Sequence, residues 1–110
     1  MLIDKKFLQW VREKNTEIAK LFRDQTPHER ALTMTVKIQE ELGELASEVL
    51  SAQGRQRSEK LGRHTTETLS AEFADVLLST LVLGEELGID VNAALQKKAA
   101  LVDGRFKNHE

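Results

Sequence analysis

The sequence predicts an all-α protein, a four-helix bundle-like fold in a single domain over residues 1–110, and three observations point to it. Apolar residues recur at three- and four-residue spacing, with little alternation of period two. Proline occurs once, at Pro27, and tyrosine is absent, so strand and turn signals are scarce. At 110 residues, 40% hydrophobic and 31% charged, the chain has the size and balance of one domain with a core and a solvated surface.

The first helix carries the stripe Ile3, Phe7, Trp10, Val11, Ile18, Leu21 and Phe22. It ends near Asp24, because Thr26-Pro27-His28-Glu29 is a helix start. Thr26 caps, Pro27 suits the first helical position, and Glu29 completes a capping box. The second helix runs from about Pro27 to Gln53, where Gly54 stops it. Its apolar face is Ala31, Met34, Ile38, Leu42, Leu45, Val49 and Ala52. Residues 54–65 have no periodicity and read as a basic connecting loop, with Arg55, Arg57, Lys60 and Arg63 set against Glu59 alone.

The third helix spans about Thr66 to Leu87 and is closed by Gly88. Phe73, Val76, Leu77, Leu78, Leu81, Val82 and Leu83 make it apolar nearly all round, so it needs cover on most sides. Three other helices of one chain cannot supply all of that cover, which predicts a partner subunit. Asp90 caps a fourth helix, Val91 to about Val102, followed by a polar tail. Gly43 and Gly84 fall inside helices at a cost of about 1 kcal/mol each relative to alanine. Close helix approach accounts for both, with ligand access a second reading at Gly43.

Composition narrows the function. With 16 basic and 18 acidic residues the net charge is −2, which argues against a nucleic-acid binder that relies on bulk positive charge. The absence of cysteine removes disulfides, thiolate metal sites and cysteine nucleophiles together. No apolar run reaches the ~18 residues that span a bilayer. Charges interrupt the N-terminal segment at once, so it does not read as a signal peptide. These features fit a cytoplasmic protein with no membrane partner.

The chemistry lies in two acidic pairs. Glu41 and Glu44 are three apart on the second helix, directly after Glu40; Glu72 and Asp75 are three apart on the third. Residues at i and i+3 share a helix face, so each pair projects two carboxylates the same way. At about 100° per residue, Glu41, Glu44 and Glu48 cluster beside the stripe of Met34, Ile38 and Leu45. Glu72 and Asp75 likewise flank Leu69, Val76 and Leu83.

Helices joined by a loop run antiparallel, and residues at equal height then have numbers with a constant total. The pairs 41 with 75 and 44 with 72 share one total, which puts the hairpin midpoint at Ser58, inside the predicted loop. Four carboxylates therefore meet at one level. Held together at the edge of a core they repel and lose hydration, so raised pKa values, basic partners or cations must compensate. Lys37 is the one basic residue on the same helical face nearby. Divalent cations fit the deficit better, and an oxygen-only donor set favours Mg²⁺ or Mn²⁺. Such a cluster suits phosphate chemistry. The Glu-x-x-His motifs of a di-iron bundle are absent, with His28, His64 and His109 in a helix start, a loop and the tail.

Glu40-Glu41-Leu42-Gly43-Glu44 fits E-E-x-x-E, and Glu72-Phe73-Ala74-Asp75 fits E-x-x-D. With Asp75-Val76-Leu77-Leu78 and Leu87-Gly88-Ile89-Asp90, they resemble the MazG-like branch of the all-α nucleoside triphosphate pyrophosphohydrolases over roughly residues 31–106. The resemblance implies a Mg²⁺-dependent hydrolase that cleaves (d)NTPs between the α and β phosphates, with Glu41, Glu44, Glu72 and Asp75 as metal ligands. It also implies dimers or dimers of dimers. Its C-terminal helix pattern of Lys, Asn and Arg maps onto Lys98 and Arg105, with Val102 where the family has Asn. Lys98 and Arg105 are thus candidate phosphate contacts, and dipole compensation near a helix C-terminus is their simpler reading.

Glu48 and Glu40 are candidate general bases, Glu40 being equally a surface residue. Lys37 is a candidate phosphate contact or a partner of Glu41. Trp10 packs in the core or stacks on a base. Two rivals within the same fold logic are a phosphoribosyl-ATP pyrophosphohydrolase and a dimeric dUTPase-type enzyme. A third, of another class, is a non-catalytic helical interaction module whose acids form a docking face.

Overall fold

The computed structural model of the protein describes residues 2–52 and 66–107. Among these residues the secondary structure is entirely helical: α1 (Lys5–Leu21), α2 (Pro27–Ala52), α3 (Thr66–Glu86) and α4 (Val91–Lys107). The predicted basic loop, with Arg55, Arg57, Lys60 and Arg63, lies outside the described residues, as do Gln53, Ser58, His64 and His109.

Capping residues set the helix starts. The Lys6 amide donates to Asp4 Oδ1 at 3.3 Å and opens α1. At α2 the capping box is formed: the Glu29 amide donates to Thr26 Oγ1 at 3.1 Å, and the Thr26 amide donates to Glu29 Oε1 at 3.0 Å. The Thr26 amide, then its hydroxyl, hold the Glu29 carboxyl below its ordinary value of 4.5. That contribution to stability is present above 4.5 and is lost as pH falls through the folded-state value. Thr26→Ala is expected to lower the unfolding free energy by about 1 kcal/mol in a denaturant titration, with helical content retained.

Antiparallel α2 and α3 form the hairpin that organises the domain. At one end Arg30 Nε pairs with Glu86 Oε1 at 3.0 Å, and Arg30 also donates to the Gln25 carbonyl at 3.0 Å. At the other end Thr68 Oγ1 donates to Glu48 Oε2 at 3.1 Å. Both pairs obey the same height rule as the acids between them. No local motif marks either partnership, yet they fix the hairpin at its two ends. The Arg30–Glu86 pair is mostly shielded from water, so removing one partner alone leaves a poorly hydrated charge.

The core is small. Among the described residues, Val11, Leu81 and Val82 are its buried hydrophobics, packed by Ile3, Ile18, Met34, Leu78 and Val91. Two parts of the expected core lie elsewhere. On α2, Leu42 and Val49 are exposed, whereas Glu48 keeps only 8% of its surface. The contact face of α2 is therefore rotated toward its acids, and the far flank of the apolar stripe is left uncovered. Phe7, Trp10 and Leu21 of α1, and Phe22 directly after it, are exposed, so core packing is not the place of Trp10. Phe73 and Leu77 of α3 are also exposed.

Gly88, at φ +70°, makes the corner after α3, a conformation that glycine adopts without strain. At Gly84 an added Cβ would sit 3.3 Å from Val91 Cγ2, so the α3–α4 corner packs against bare backbone there. Gly43 has nothing within 4 Å, and close helix approach is not its reason within one chain. Asp90 caps α4 through the Ala93 amide at 3.1 Å. Asn92 Oδ1 accepts from the Leu2 and Ile3 amides at 3.1 and 2.7 Å, and its Nδ2 donates to the Ile3 carbonyl at 3.0 Å. These bonds tie the N-terminal segment to the first turn of α4.

Beyond Asn92 every residue of α4 is exposed except the half-buried Val102. The helix also runs to Lys107, past the expected end at Val102, and Arg105 and Lys107 complement the dipole in its last turn. The radius of gyration, 17.3 Å, exceeds the ~13 Å of a compact domain this size. No helix among the described residues is long and apolar enough to cross a membrane.

Candidate metal centre

Midway along the hairpin, α2 and α3 bring Glu41, Glu72 and Asp75 together. One carboxylate oxygen from each lies within 4.8 Å of the others. Glu41 and Glu72 are half-buried and Asp75 is exposed, so the cluster sits on the rim of the helix interface with one side open to water. Glu44, three residues on from Glu41, is exposed and stands at the margin of this trio, near enough to Glu72 to act on its charge.

The electrostatics of the cluster are unbalanced. The Glu72 carboxyl is pushed above its ordinary value of 4.5, first by desolvation. Next come the charge of Glu44 and a carboxyl–carboxyl hydrogen bond with it, then the charges of Asp75 and Glu41. Glu72 Oε2 is buried and has no hydrogen-bond partner among the described residues. An acceptor oxygen without a donor, among like charges, is the kind of group that a cation satisfies.

Among the described residues the basic compensation is slight. Lys37 Nζ lies 3.4 Å from Glu41 Oε1 and 3.7 Å from Glu40 Oε2, and its side chain is 61% exposed. The hydrogen bond to Glu41, ahead of the charges of Glu41 and Glu40, raises the lysine's pKa. Among the described residues, one solvated ammonium facing three or four carboxylates leaves net negative charge at the rim. The donors are all hard oxygens in a half-open bowl, and they fit a divalent cation of the Mg²⁺ or Mn²⁺ type.

The other candidates fall in different places. Glu40 is not one of the trio; it is exposed and paired with Lys37. Glu48 is buried one turn beyond Glu44 and is held by Thr68. Trp10 lies on α1, stacked on Phe7 with ring centroids 5.6 Å apart, and it lines an apolar groove that also reaches Lys37. Lys98 and Arg105 are exposed on α4, the helix that leaves the hairpin at the end of α3 remote from Glu72 and Asp75. The chain does not bring them to its own acid cluster.

Sequence reasoning missed the Thr68 anchor of Glu48, although the height rule that matched the acids also pairs these two. It also missed the Arg12 Nε–Glu85 Oε2 pair at 3.2 Å, which lies in a cleft of about 550 Å³ between α1 and the α3–α4 corner. No local spacing announces a contact between helices so distant in sequence.

The profile of the family described as phosphoribosyl-ATP pyrophosphohydrolase matches residues 6–99 of the chain. The match takes in α1, α2, α3, the whole acid cluster and the first half of α4, so Lys98 falls inside it and Arg105 outside. No curated protein and no solved structure matches the chain.

Proposed function

The chain belongs to the phosphoribosyl-ATP pyrophosphohydrolase family, and from that premise we propose that it hydrolyses phosphoribosyl-ATP between the α and β phosphates, releasing phosphoribosyl-AMP and pyrophosphate. The enzyme is thus a hydrolase acting on a phosphoric anhydride. The observation that carries the assignment to this site is the meeting of Glu41, Glu72 and Asp75 on the open rim of the α2–α3 hairpin.

In this reading Glu41, Glu44, Glu72 and Asp75 hold Mg²⁺, with Mn²⁺ as a substitute. The bound cation supplies charge compensation to the phosphate oxygens and lowers the pKa of water beside them. The remaining work falls to the chain. The hairpin fixes the carboxylates at one height, so the triphosphate is oriented along the rim. Lys37, now shared between Glu40 and Glu41, turns to a phosphate oxygen once the acids are neutralised. Glu48, buried and oriented by Thr68, is the better placed of the two candidate bases, because Glu40 is drawn off to solvent.

Homo-oligomerisation belongs to the same proposal. Exposed Phe73 and Leu77 call for cover, and α4 carries Lys98 and Arg105 outward, where they reach the phosphates bound by a neighbouring copy. A second reading, hydrolysis of ordinary (d)NTPs, is favoured by the order of the E-E-x-x-E and E-x-x-D motifs with the trailing Leu87-Gly88-Ile89-Asp90. Pyrophosphate release with Mg²⁺ is to be measured for phosphoribosyl-ATP beside ATP, dUTP and the other canonical (d)NTPs. The proposal expects the highest kcat/KM for phosphoribosyl-ATP. A preference for a canonical nucleotide would transfer the assignment to the second reading, and no turnover of any of them would remove both.

A further inference from the structure

We infer that the groove between α1, α2 and α3 is the seat of the substrate's purine base, with Trp10 as its aromatic wall; the inference rests on the pyrophosphohydrolase reading and adds the end of the nucleotide remote from the metal. The groove measures about 510 Å³, within the ~300–1,000 Å³ range of small-ligand sites. Its floor is Ile18, Met34, Leu78 and Val82, while Thr33 and Ser79 place hydroxyls at its edge. An apolar floor with few polar groups suits a flat heteroaromatic ring, which buries its faces and leaves its edge to hydrogen-bond.

Its position singles out a nucleotide. Lys37 both lines the groove and contacts Glu41, so the groove opens directly onto the acid cluster. From Glu41 back to Met34 is seven residues along α2, and from Asp75 on to Val82 is seven along α3. At about 1.5 Å per residue, the floor lies ~10 Å from the carboxylates. That is about the separation of base and terminal phosphates in an extended nucleoside triphosphate. Phosphates at the rim of the hairpin therefore direct the base into this groove.

The charges at the groove agree. Lys14 and Lys37 are its lining cations, and both suit a ligand that carries phosphate. Lys14 Nζ rests 5.7 Å from the Trp10 ring centroid and 3.2 Å from Glu17 Oε2. An exposed ammonium over an indole is a weak, displaceable contact, and a stacked base gives more. Phe7, stacked on Trp10 at an interplanar angle of 22°, holds the indole in place from within α1.

Trp10 is the sole tryptophan of the chain, so its fluorescence reports on this groove alone. The full-length protein is titrated with Mg²⁺ and α,β-methylene-ATP, which resists cleavage at the reactive bond, and separately with Mg²⁺ and tripolyphosphate, which has no base. The expected result is saturable quenching by the nucleotide and an unchanged spectrum with tripolyphosphate, although both bind by calorimetry. Trp10→Leu should raise KM about tenfold with kcat little altered, the range that loss of one base–aromatic stack produces, and Trp10→Phe should restore most of it.

Calorimetric binding of the nucleotide with no change in Trp10 emission, together with an unaltered KM in Trp10→Leu, would overturn the base site while leaving the hydrolase intact. Emission that shifts with protein dilution and ignores nucleotide would overturn it in favour of a second copy seated on α1. Failure of the hydrolase reading has a different signature, since the wild-type protein would then release no pyrophosphate from any nucleotide.

Discussion

Asp75→Asn and Glu41→Gln are each expected to lower kcat/KM for pyrophosphate release by roughly 10³-fold, the factor that about 4 kcal/mol of lost charge stabilisation represents. Both changes keep the shape of the side chain and remove one negative charge from the cluster whose oxygens approach within 4.8 Å. A cation held by one carboxylate fewer binds less tightly and offers less to the phosphates. Asp75 is exposed and Glu41 only half-buried, so neither amide disturbs the core, and circular dichroism should show unchanged helix. Glu40→Gln is the control. Its side chain lies in solvent against Lys37, and activity should fall by no more than a few-fold. Equal losses at Glu40 and Asp75 would mean that general acidity of the surface matters and the cluster does not.

Glu72→Gln separates stability from function. Without cation, the wild-type Glu72 is pressed by desolvation and by Glu44, Asp75 and Glu41, so replacing it should raise the melting temperature of the cation-free protein. The same change should abolish the response to Mg²⁺. In the wild type, Mg²⁺ at about 100 times its Kd is expected to add ~2.7 kcal/mol, a rise of roughly 10 °C for a domain of this size.

The pH dependence has a definite sign. Because the folded-state value of Glu72 lies above 4.5, the folded protein holds the proton more tightly than the unfolded chain does. The stability contributed by this group is present below 4.5 and is lost as pH rises through the folded-state value. Cations compete with that proton. Scanning calorimetry from about pH 4 to about pH 8 should therefore show a Mg²⁺-dependent shift that grows with pH, and Glu72→Gln should flatten both trends.

The fold was readable because its determinants are local. Thr26, Pro27, Glu29, Gly88 and Asp90 mark helix ends by side-chain chemistry that acts within a turn, and each lies where its chemistry places it. The gathering of Glu41, Glu72 and Asp75 was also readable, since one antiparallel hairpin carries both motifs and fixes their heights. What escaped depends on rotation and on distance. Leu42 and Val49 have the spacing of core residues, but α3 packs on the flank that carries Glu41 and Glu48. Val11 and Trp10 are neighbours in one stripe, yet one is fully buried and the other is 41% exposed, because only part of that stripe meets α3. The outward course of α4 followed from nothing in its own sequence, and it separates Lys98 and Arg105 from the acids that the motif pattern grouped with them.

The proposed hydrolysis depends on the carboxylates of α2 and α3 acting as one cation site. Its most direct test is Mn²⁺ titration followed by electron paramagnetic resonance, which counts free ion without needing any substrate. The wild type and Glu40→Gln should take up Mn²⁺ saturably and alike, whereas Glu72→Gln and Asp75→Asn should leave nearly all of it free. Uptake by Glu72→Gln equal to that of the wild type would contradict the account, because the buried oxygen of Glu72, without a partner among the described residues, is where the ion is expected to sit.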